Sequence, residues 1–392
     1  MKKTYKYKLN IPSWPSINLK TLFALGKVYL SKYWSWYGRN EIEFIKKFST
    51  LQKSKYVITT TSATTGLETA LIALGIKPGD EVIVPAYTWI STVTAVAKIG
   101  AIPVIVDIDP NTLCIDPKKI REAISKKTKA VIPVHLFSAL ADMDEIMKIA
   151  EEFKLKVIED CAHAHCALYK DKGIGSIGDI GVFSFQQTKL MCAGEGGACT
   201  TNSNTLADKL DRLNHIGYSI YSSVESFQDN NVCSKNVLTE FQTAILSYQC
   251  DEIIQQTIKR YKNSIYLEEL LSEINGIHFQ KTSENTTRRT YFYFVIIVDS
   301  SKLKEGINKY NIIKKLNNLG IPAQNGWGCT VYNHQAWNLS ESSFIKKDIV
   351  NAKRISEKEV IVLPNNVLLS DKKTIKKIGN IMKEVFYSVL IQ

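Results

Sequence analysis

Residues 181–201, GVFSFQQTKLMCAGEGGACTT, place a single lysine between two β-prone runs. The first run, GVFSF, leads through two glutamines and a threonine to Lys189, and the small-residue turn AGEGG precedes the second run. A glycine-rich turn fixes the path of the backbone tightly. A lysine that only contacts solvent would not need such a setting. The stretch therefore indicates a long cationic side chain that must reach a fixed chemical target.

Five further β-prone runs precede this stretch, with room for one helix between each pair. They are YVITTTS (56–62), EVIVPAY (81–87), IPVIVDID (102–109), AVIPVHLF (130–137) and KVIEDCA (156–162). Segments 65–75 and 142–153 carry helical patterns, the first ending at a C-cap-like Gly75. This alternation is typical of parallel β-α-β units. We therefore expect the α/β class, with a mainly parallel sheet of about seven strands and helices on both faces.

Composition excludes several function classes. The 392 residues suggest two or three packing units, and no uninterrupted apolar run is long enough for a membrane span. The most lipid-like segment, 22–38, is interrupted by Lys27 and Lys32, so we expect a helix that packs on its own protein. The net charge of +12 comes mostly from dispersed lysines. It is compatible with a phosphate-bearing ligand, but without a basic arm nucleic acid is not an expected partner.

The cysteines and the N-terminus favour a reducing compartment. None of the eight cysteines forms a CxxC pair or a Cys/His metal spacing, so we expect buried thiols and no metal site. The first residues, MKKTYKYKLN, lack the apolar core of a signal peptide. Both features predict a cytoplasmic protein.

In a parallel sheet, ligands bind at the carboxyl ends of the strands, and distinctive motifs follow the strands here. TSATTG (61–66), with Ala63 and Thr64, offers hydroxyls and free N–H groups to an anion, although an ordinary N-cap would look similar. Trp89 in PAYTW could stack on a flat ring or fill the core.

Two more motifs carry ionisable groups. VIEDCAHAH (157–165) ends an apolar strand with Asp160, which is expensive to bury unless it meets a cation; the alternative is a capping aspartate. The last motif is SFQQTK (184–189). An anion cup, an aromatic plate, a buried acid and a lone lysine are together what pyridoxal phosphate requires.

At this point the chain resembles the DegT/StrS sugar aminotransferases, which are fold type I pyridoxal phosphate enzymes. The resemblance covers nearly the whole chain, through YGRNEIEFIKKFS (37–49), PGDEVIVPAYTWISTVTAV (78–96), VIEDCAHAH, GDIGVFSFQQTK (178–189) and EVIVLPNNVLLS (359–370). The form SFQQTK is most similar to members that act on cyclitols and aminohydroxybenzoate precursors. Relatives that act on nucleotide sugars more often carry histidine in place of Gln186.

The resemblance implies a role for each motif residue. Lys189 would form the Schiff base, Asp160 would pair with the pyridinium nitrogen, and His163 would lie near the ring hydroxyl. The remaining cofactor contacts would be Trp89 on the ring, and Ala63, Thr64 and Ser184 at the phosphate. Lys235 would reach the site of a partner subunit in a homodimer with shared sites. Gln186, Trp327, Tyr332 and His334 are the expected acceptor-binding residues.

Departures from the family pattern concern the substrate more than the cofactor. Ala63 and Cys166 each stand where members of the family usually have glycine, and Asn236 stands where tyrosine is common. The segment 320–338 matches the family pattern only loosely.

The resemblance also implies a division of the chain and a reaction. We expect an N-terminal arm and helix (1–40), a large cofactor domain (41–255) and a small α+β domain (256–392). The predicted reaction moves an amino group from glutamate or glutamine to a keto-sugar, nucleotide-linked as in much of the family. The alternatives are a free cyclitol ketone, a small phosphorylated ketone, or a regulatory protein that binds the cofactor without turnover.

Overall fold

A computed structural model describes residues 7–222 and 232–391 of the chain. Its helices are α1 (Leu19–Ser31), α2 (Arg39–Gln52), α3 (Ala63–Ala73), α4 (Ser91–Lys98), α5 (Pro117–Ala123), α6 (Met143–Phe153), α7 (Asn204–Asn214), α8 (Glu240–Leu271), α9 (Lys309–Asn318), α10 (Asn351–Arg354) and α11 (Lys372–Val389). Its strands are β1 (Tyr56–Thr60), β2 (Glu81–Pro85), β3 (Ile102–Val106), β4 (Thr128–Val131), β5 (Lys156–Asp160), β6 (Leu168–Tyr169), β7 (Lys172–Gly173), β8 (Ile180–Ser184), β9 (Gly197–Thr201), β10 (Ile277–Phe279), β11 (Thr286–Arg288), β12 (Tyr293–Val298), β13 (Ile345–Lys346) and β14 (Val360–Pro364).

The main sheet confirms the predicted α/β class. Its order is β1-β9-β8-β5-β4-β2-β3-β13, and every neighbouring pair is parallel except the two that involve β9. All seven predicted strands are present, and β13 adds an eighth. A two-residue strand contributed from far along the chain has no local pattern that would predict it.

The helices that connect these strands follow local sequence rules. The helix α3 begins with a Ser62–Thr65 capping box, and Gly75 follows its end with a φ of +79°, which a residue without Cβ adopts easily. The helix α6 buries Met143, Ile146 and Ile149 at helical period against the sheet. Each connection thus returns the chain to the edge from which the next parallel strand starts.

The C-terminal part forms a second hydrophobic core. The sheet β10-β12-β14 is antiparallel and packs with α9, α11 and the end of α8. The predicted boundary at residues 255 and 256 falls inside α8. This helix is 32 residues long and contributes buried side chains to both cores. The division into domains stays a prediction.

One C-terminal segment is fixed to the main sheet. Val331 N–H donates to Ala86 O at 2.9 Å, and β13 pairs with β3. The buried Asp107 carboxylate then accepts the N–H groups of Val350 and Asn351 at 3.0 and 2.8 Å. Residues 331–351 therefore belong structurally to the edge of the large sheet, beside the ends of β2 and β3.

The helix α1 lies against α8 through a narrow strip. Ala24 and Val28 are buried there, together with Ala244 of α8. Leu22, Phe23 and Leu30 of α1 remain exposed. The predicted segment 22–38 is therefore helical only as far as Ser31, where Lys32 ends the helix in a left-handed conformation, and the helix packs on its own protein by only one of its apolar faces. Within residues 7–222 and 232–391, no helix combines the length and apolar character that a membrane span requires.

Candidate active site

A cavity of about 490 Å³ opens at the carboxyl ends of β1, β2, β5 and β8. Tyr293 of β12 also lines it. Nine of the twelve residues predicted from the sequence line this cavity, namely Ala63, Thr64, Trp89, Asp160, His163, Ser184, Gln186, Lys189 and Trp327. The parallel topology brings eight of them together because the carboxyl ends of these strands lie at one edge of the sheet, and Trp327 joins them from the C-terminal part of the chain.

One end of the cavity is formed by the N-terminus of α3. Ser62 caps the helix by accepting the Thr65 N–H at 3.1 Å, which leaves the N–H groups of Ala63 and Thr64 without a partner among the described residues. The Thr64 hydroxyl donates to Ser91 Oγ at 2.9 Å, and Ser184 Oγ accepts the Gln186 N–H at 3.3 Å. Free N–H groups at the positive end of a helix dipole favour an anion.

Gly197 lets β9 approach this helix end. A Cβ at residue 197 would lie 2.6 Å from the carbonyl carbon of Ser62 and 2.8 Å from the nitrogen of Ala63. Only glycine fits so close to another backbone. The last glycine of the AGEGG turn thus has a steric reason, and it stands directly against the candidate anion cup.

Asp160 forms the buried acid of the site. Its Oδ2 accepts the Thr92 hydroxyl at 2.9 Å, and its Oδ1 accepts the Ala162 N–H at 3.2 Å. Burial raises the pKa of this carboxyl, while these hydrogen bonds and the charge of Lys189 act in the opposite direction. A carboxylate that burial destabilises and two donors hold in place is suited to a cationic partner.

Lys189 extends into the same cavity. Its Nζ lies 4.6 Å from the centroid of the Phe292 ring. Burial lowers the pKa of Lys189 to about 8, and the Asp160 carboxylate opposes that shift. The amine is therefore easier to deprotonate than a surface lysine, which suits both a nucleophile and a general base.

The AGEGG turn closes a tight hairpin that fixes Lys189. Phe185 N–H donates to Gly196 O and Gln187 N–H to Gly194 O, each at 2.8 Å. Gly194 and Gly196 have φ values of +83° and +147°, which favour glycine. The backbone of Lys189 closes the turn by donating its N–H to Gln186 O at 2.8 Å.

Aromatic rings line the mouth of the cavity. Trp89 is 47% exposed, and its ring centroid lies 5.1 Å from that of Trp327. His163 stacks on Phe292 with centroids 4.0 Å apart and an interplanar angle of 16°. Trp89 therefore keeps an accessible surface, as a ring-stacking residue needs, and Trp327 supports it from the side.

Three predicted residues lie outside the cavity lining. His334 packs edge-on against Trp89 at 5.5 Å, whereas the Tyr332 ring contacts Lys346 Nζ at 4.9 Å. Lys235 is exposed and pairs through its backbone with His215. Lys235 belongs to the polar segment DNNVCSKN (229–236), which we expect to precede the cross-subunit helix, and its first three residues lie outside the described part of the chain.

Sequence reasoning missed several lining or supporting residues. Thr92 holds Asp160, Ser91 holds Thr64, and Phe292 lies beside both Lys189 and His163. Thr88 and Thr92 are four residues apart and hydrogen-bonded at 3.0 Å, a spacing that could have indicated Thr92. Nothing local indicates Phe292, because its role depends on the packing of the C-terminal part against the large sheet.

A group of potential metal ligands lies behind the site. His135, Glu159 and Cys161 are buried within reach of one another. Glu159 accepts the N–H groups of Gly175, Ile177 and Gly178 at 2.7–3.0 Å and faces His135 Nε2 at 3.3 Å. The carboxylate is thus committed to hydrogen bonds that brace the strand carrying Asp160.

The residues present fit pyridoxal phosphate. N–H groups that have no partner within residues 7–222 and 232–391, together with the close approach of Gly197, form an anion cup at one end of the cavity. A buried carboxylate, an exposed tryptophan face and a lysine with lowered pKa occupy the rest. These are the four elements that this cofactor requires.

Comparison with known proteins agrees with this geometry. A sequence model of the DegT/DnrJ/EryC1/StrS aminotransferase family matches residues 16–383. The L-glutamine:2-deoxy-scyllo-inosose aminotransferase of Streptoalloteichus tenebrarius is 37% identical over 296 residues, which cover 72% of this chain and 70% of the relative. The L-glutamine:scyllo-inosose aminotransferase of Streptomyces griseus is 35% identical over 298 residues, or 73% and 70% of the two chains.

Solved structures extend the likeness to the whole fold. The crystal structure of 3-amino-5-hydroxybenzoic acid synthase superposes with a TM-score of 0.88 at 26% identity, covering 97% of this chain and all of the other. The chain therefore belongs to the DegT/DnrJ/EryC1/StrS aminotransferase family and is a pyridoxal phosphate-dependent aminotransferase.

Proposed function

We propose that this aminotransferase moves an amino group from glutamine to a free polyhydroxylated ring ketone of the cyclitol class. The observation that carries the proposal is the similarity, at 33–37% identity, to aminotransferases named for glutamine and scyllo-inosose derivatives. This similarity favours a free cyclitol ketone as the acceptor over the nucleotide-linked keto-sugar that we expected from the family as a whole.

The charge of the cavity supports the same choice. Among its described lining residues, Lys189 is the only lysine or arginine, while Asp160 and Glu195 are acidic. A nucleotide diphosphate would need cationic partners beside the acceptor. A neutral ring with several hydroxyls instead suits Gln186, Thr188 and Glu195, which can exchange hydrogen bonds with it.

We assign the cofactor contacts to the residues that form the cup and the buried acid. Ala63 and Thr64 would bind the phosphate through their N–H groups with Ser184, and Trp89 would stack on the ring. Asp160, held by Thr92, would keep the proton on the ring nitrogen. When bound, the cofactor supplies an aldehyde that accepts amines and a ring that withdraws electrons.

Lys189 would perform the proton transfer. Lys189 Nζ would bond the aldehyde of the cofactor, and as a free amine it would be the base beside the substrate carbon. The low-dielectric cavity favours its neutral form, so that it can take a proton from the donor and later return one to the acceptor. The same residue therefore serves both halves of the exchange.

An acceptor screen tests the proposal. The protein is first converted by glutamine, or in parallel by glutamate, to the form whose cofactor carries the amine. Return of the original visible spectrum is then measured with scyllo-inosose, 2-deoxy-scyllo-inosose, a small phosphorylated ketone and a nucleotide-linked keto-sugar. We expect glutamine and the free cyclitol ketones to give the highest kcat/KM.

Two results would contradict parts of the proposal separately. A nucleotide-linked keto-sugar that reacts faster than every free ketone would restore the first expectation, which the net charge of +12 also favours. Faster conversion by glutamate than by glutamine would overturn the donor assignment alone.

A further inference from the structure

Phe137, the last residue of the fourth predicted β-prone run, lies beyond the end of β4 and has a backbone conformation that bulky residues rarely adopt. Its φ is +60°, in the left-handed region, and its side chain is only 1% exposed. Non-glycine residues persist there only when the surrounding structure holds them. Such outliers cluster at functional sites, so the contacts of this turn call for an explanation.

The turn directs backbone groups at two residues of the site. Phe137 N–H donates to His163 Nδ1 at 3.2 Å, and Phe137 O accepts the Phe292 N–H at 3.1 Å. The His163 ring in turn stacks on Phe292 at 4.0 Å and lies nearly parallel to the Phe137 ring, with centroids 5.9 Å apart. Phe137, His163 and Phe292 thus hold one another in a closed set of contacts.

The turn is itself anchored from the C-terminal part of the chain. Gln280 is 2% exposed, and its Oε1 accepts both the N–H and the hydroxyl of Ser138, at 3.2 and 2.9 Å. Its Nε2 donates to Leu136 O at 2.9 Å and to Thr112 O at 2.7 Å. All four bonds of this buried amide are therefore devoted to the residues on either side of Phe137 and to the neighbouring loop.

These contacts decide where His163 carries its proton. Nδ1 accepts an amide N–H, so a neutral ring must hold its single proton on Nε2. Burial lowers the pKa of His163 well below its usual range, and the charge of Lys189 lowers it further, so the ring is neutral. Nε2 has no partner among the described residues, and His163 lines the cavity. The cavity therefore receives a donor from this ring and no acceptor.

We propose that the left-handed turn at Phe137, braced by Gln280, fixes His163 as an Nε2–H donor to the cavity, where it would donate to the ring oxygen of the cofactor. Phe137 and Gln280 are then positioning residues, which act through His163 and touch no substrate. The proposal does not depend on the identity of the amino acceptor.

Nuclear magnetic resonance of protein selectively labelled with ¹⁵N-histidine tests it directly. The chain has six histidines, and the signal that His163→Gln removes identifies residue 163. Cofactor-free protein at neutral pH should show His163 with a bare Nδ1 and a protonated Nε2. Addition of pyridoxal phosphate should shift the Nε2 resonance more than the Nδ1 resonance. A protonated Nδ1, or an imidazolium, would overturn the proposal.

Three variants separate the turn from general stability. Phe137→Gly accommodates the positive φ and keeps the N–H donor, so the tautomer should be unchanged even though the apolar side chain is lost. Phe137→Pro removes the donor and also the left-handed turn, because the proline ring fixes φ at about −65°. Gln280→Met removes all four anchoring bonds at similar volume. Both should give a mixture of tautomers.

The outcome does not rest on one variant. If Phe137→Pro fails to fold, the proposal is tested by the wild-type spectrum and by that of Gln280→Met. Circular dichroism checks that the Gln280→Met protein is folded. A folded Gln280→Met protein with lowered thermal stability and an unchanged His163 tautomer would show that Gln280 has only a structural role and would refute the positioning mechanism.

Discussion

At the scale of single residues, the site contains an acid and a base that are both disfavoured in their charged forms. Burial raises the pKa of Asp160 and lowers that of Lys189 to about 8. Each group partly relieves the other, since their charges are opposite. A cofactor with a cationic ring nitrogen would stabilise the Asp160 carboxylate and, by the same charge, favour a neutral amine on Lys189.

Lys189→Ala tests the assignment of the base. We expect kcat to fall by about 10³-fold or more, since a positioned general base alone contributes roughly 10²–10⁴. Cofactor should still bind through its phosphate and ring contacts. Borohydride treatment of the wild-type protein should attach the cofactor covalently to Lys189, as peptide mapping would show. An adduct on a different lysine would refute the site assignment.

Asp160→Asn tests the buried acid in two ways. Loss of the charge should lower kcat by about 10²-fold or more, as removal of a preorganised electrostatic contact does. In the cofactor-free protein the same change should be neutral or stabilising near pH 7, because a carboxylate whose folded pKa is raised destabilises the fold above that pKa. That gain should vanish as the pH falls through the raised pKa and wild-type Asp160 becomes neutral.

Thermal unfolding at several pH values, with and without cofactor, measures this effect. Thr92→Val is the matched control, because it removes one hydrogen bond to Asp160 and keeps the carboxylate. Near-native activity of Asp160→Asn would mean that the carboxylate has a structural role only.

At the scale of elements, the anion cup depends on the N-terminus of α3 and on the segments packed beside it. The N-terminus of α3 offers its N–H groups, β9 passes beside it at Gly197, and the hairpin between β8 and β9 presents Lys189. A displacement of β9 would therefore disturb the anion cup before it disturbed the core of the sheet.

Gly197→Ala tests this arrangement. The added Cβ would push on Ser62 and Ala63, and overpacking of this kind destabilises by about 1–3 kcal/mol. If the strain falls on the cup, the Kd for pyridoxal phosphate should rise by about 10-fold. Gly194→Ala is the control in the same hairpin, since its Cβ would meet nothing within 4 Å although its φ of +83° is unfavourable. Equal Kd values for the two variants, measured by fluorescence titration, would contradict the steric account.

At the scale of the whole molecule, one chain leaves apolar side chains of α1 uncovered. Leu22, Phe23 and Leu30 of α1 are 62%, 72% and 77% exposed. Lys235 is exposed beside His215, on which Trp36 stacks at 4.9 Å from the turn after α1. Apolar patches of this kind mark interaction surfaces, and a second copy would cover them while receiving Lys235.

We predict a homodimer with shared sites. Analytical ultracentrifugation should give twice the mass of the chain, and Leu22→Lys with Phe23→Glu should weaken the association. Mixing Lys189→Ala and Lys235→Ala chains should restore activity through hybrid dimers that contain one intact site. A fully active monomer, or mixtures no more active than either variant, would refute the shared site.

The sequence by itself determined the seven main strands, the β-α-β connections between the first five and nine of the residues that line the cavity. This succeeded because strand and helix periodicity is local, and because β-α-β units bring the residues after each strand to one edge. Asp160, Trp89, Lys189 and the α3 N-terminus could thus be grouped before any distance was known.

Only the tertiary structure decided the contacts made between distant parts of the chain. Phe292 beside Lys189, Gln280 on the Phe137 turn and the β13 edge strand all come from the C-terminal third. The structure also gave Gly197 its steric role and placed Tyr332 and His334 outside the cavity lining. These contacts depend on how two hydrophobic cores pack together. Packing requires complementary side-chain shapes from distant segments, and such complementarity produces no periodic pattern in the sequence.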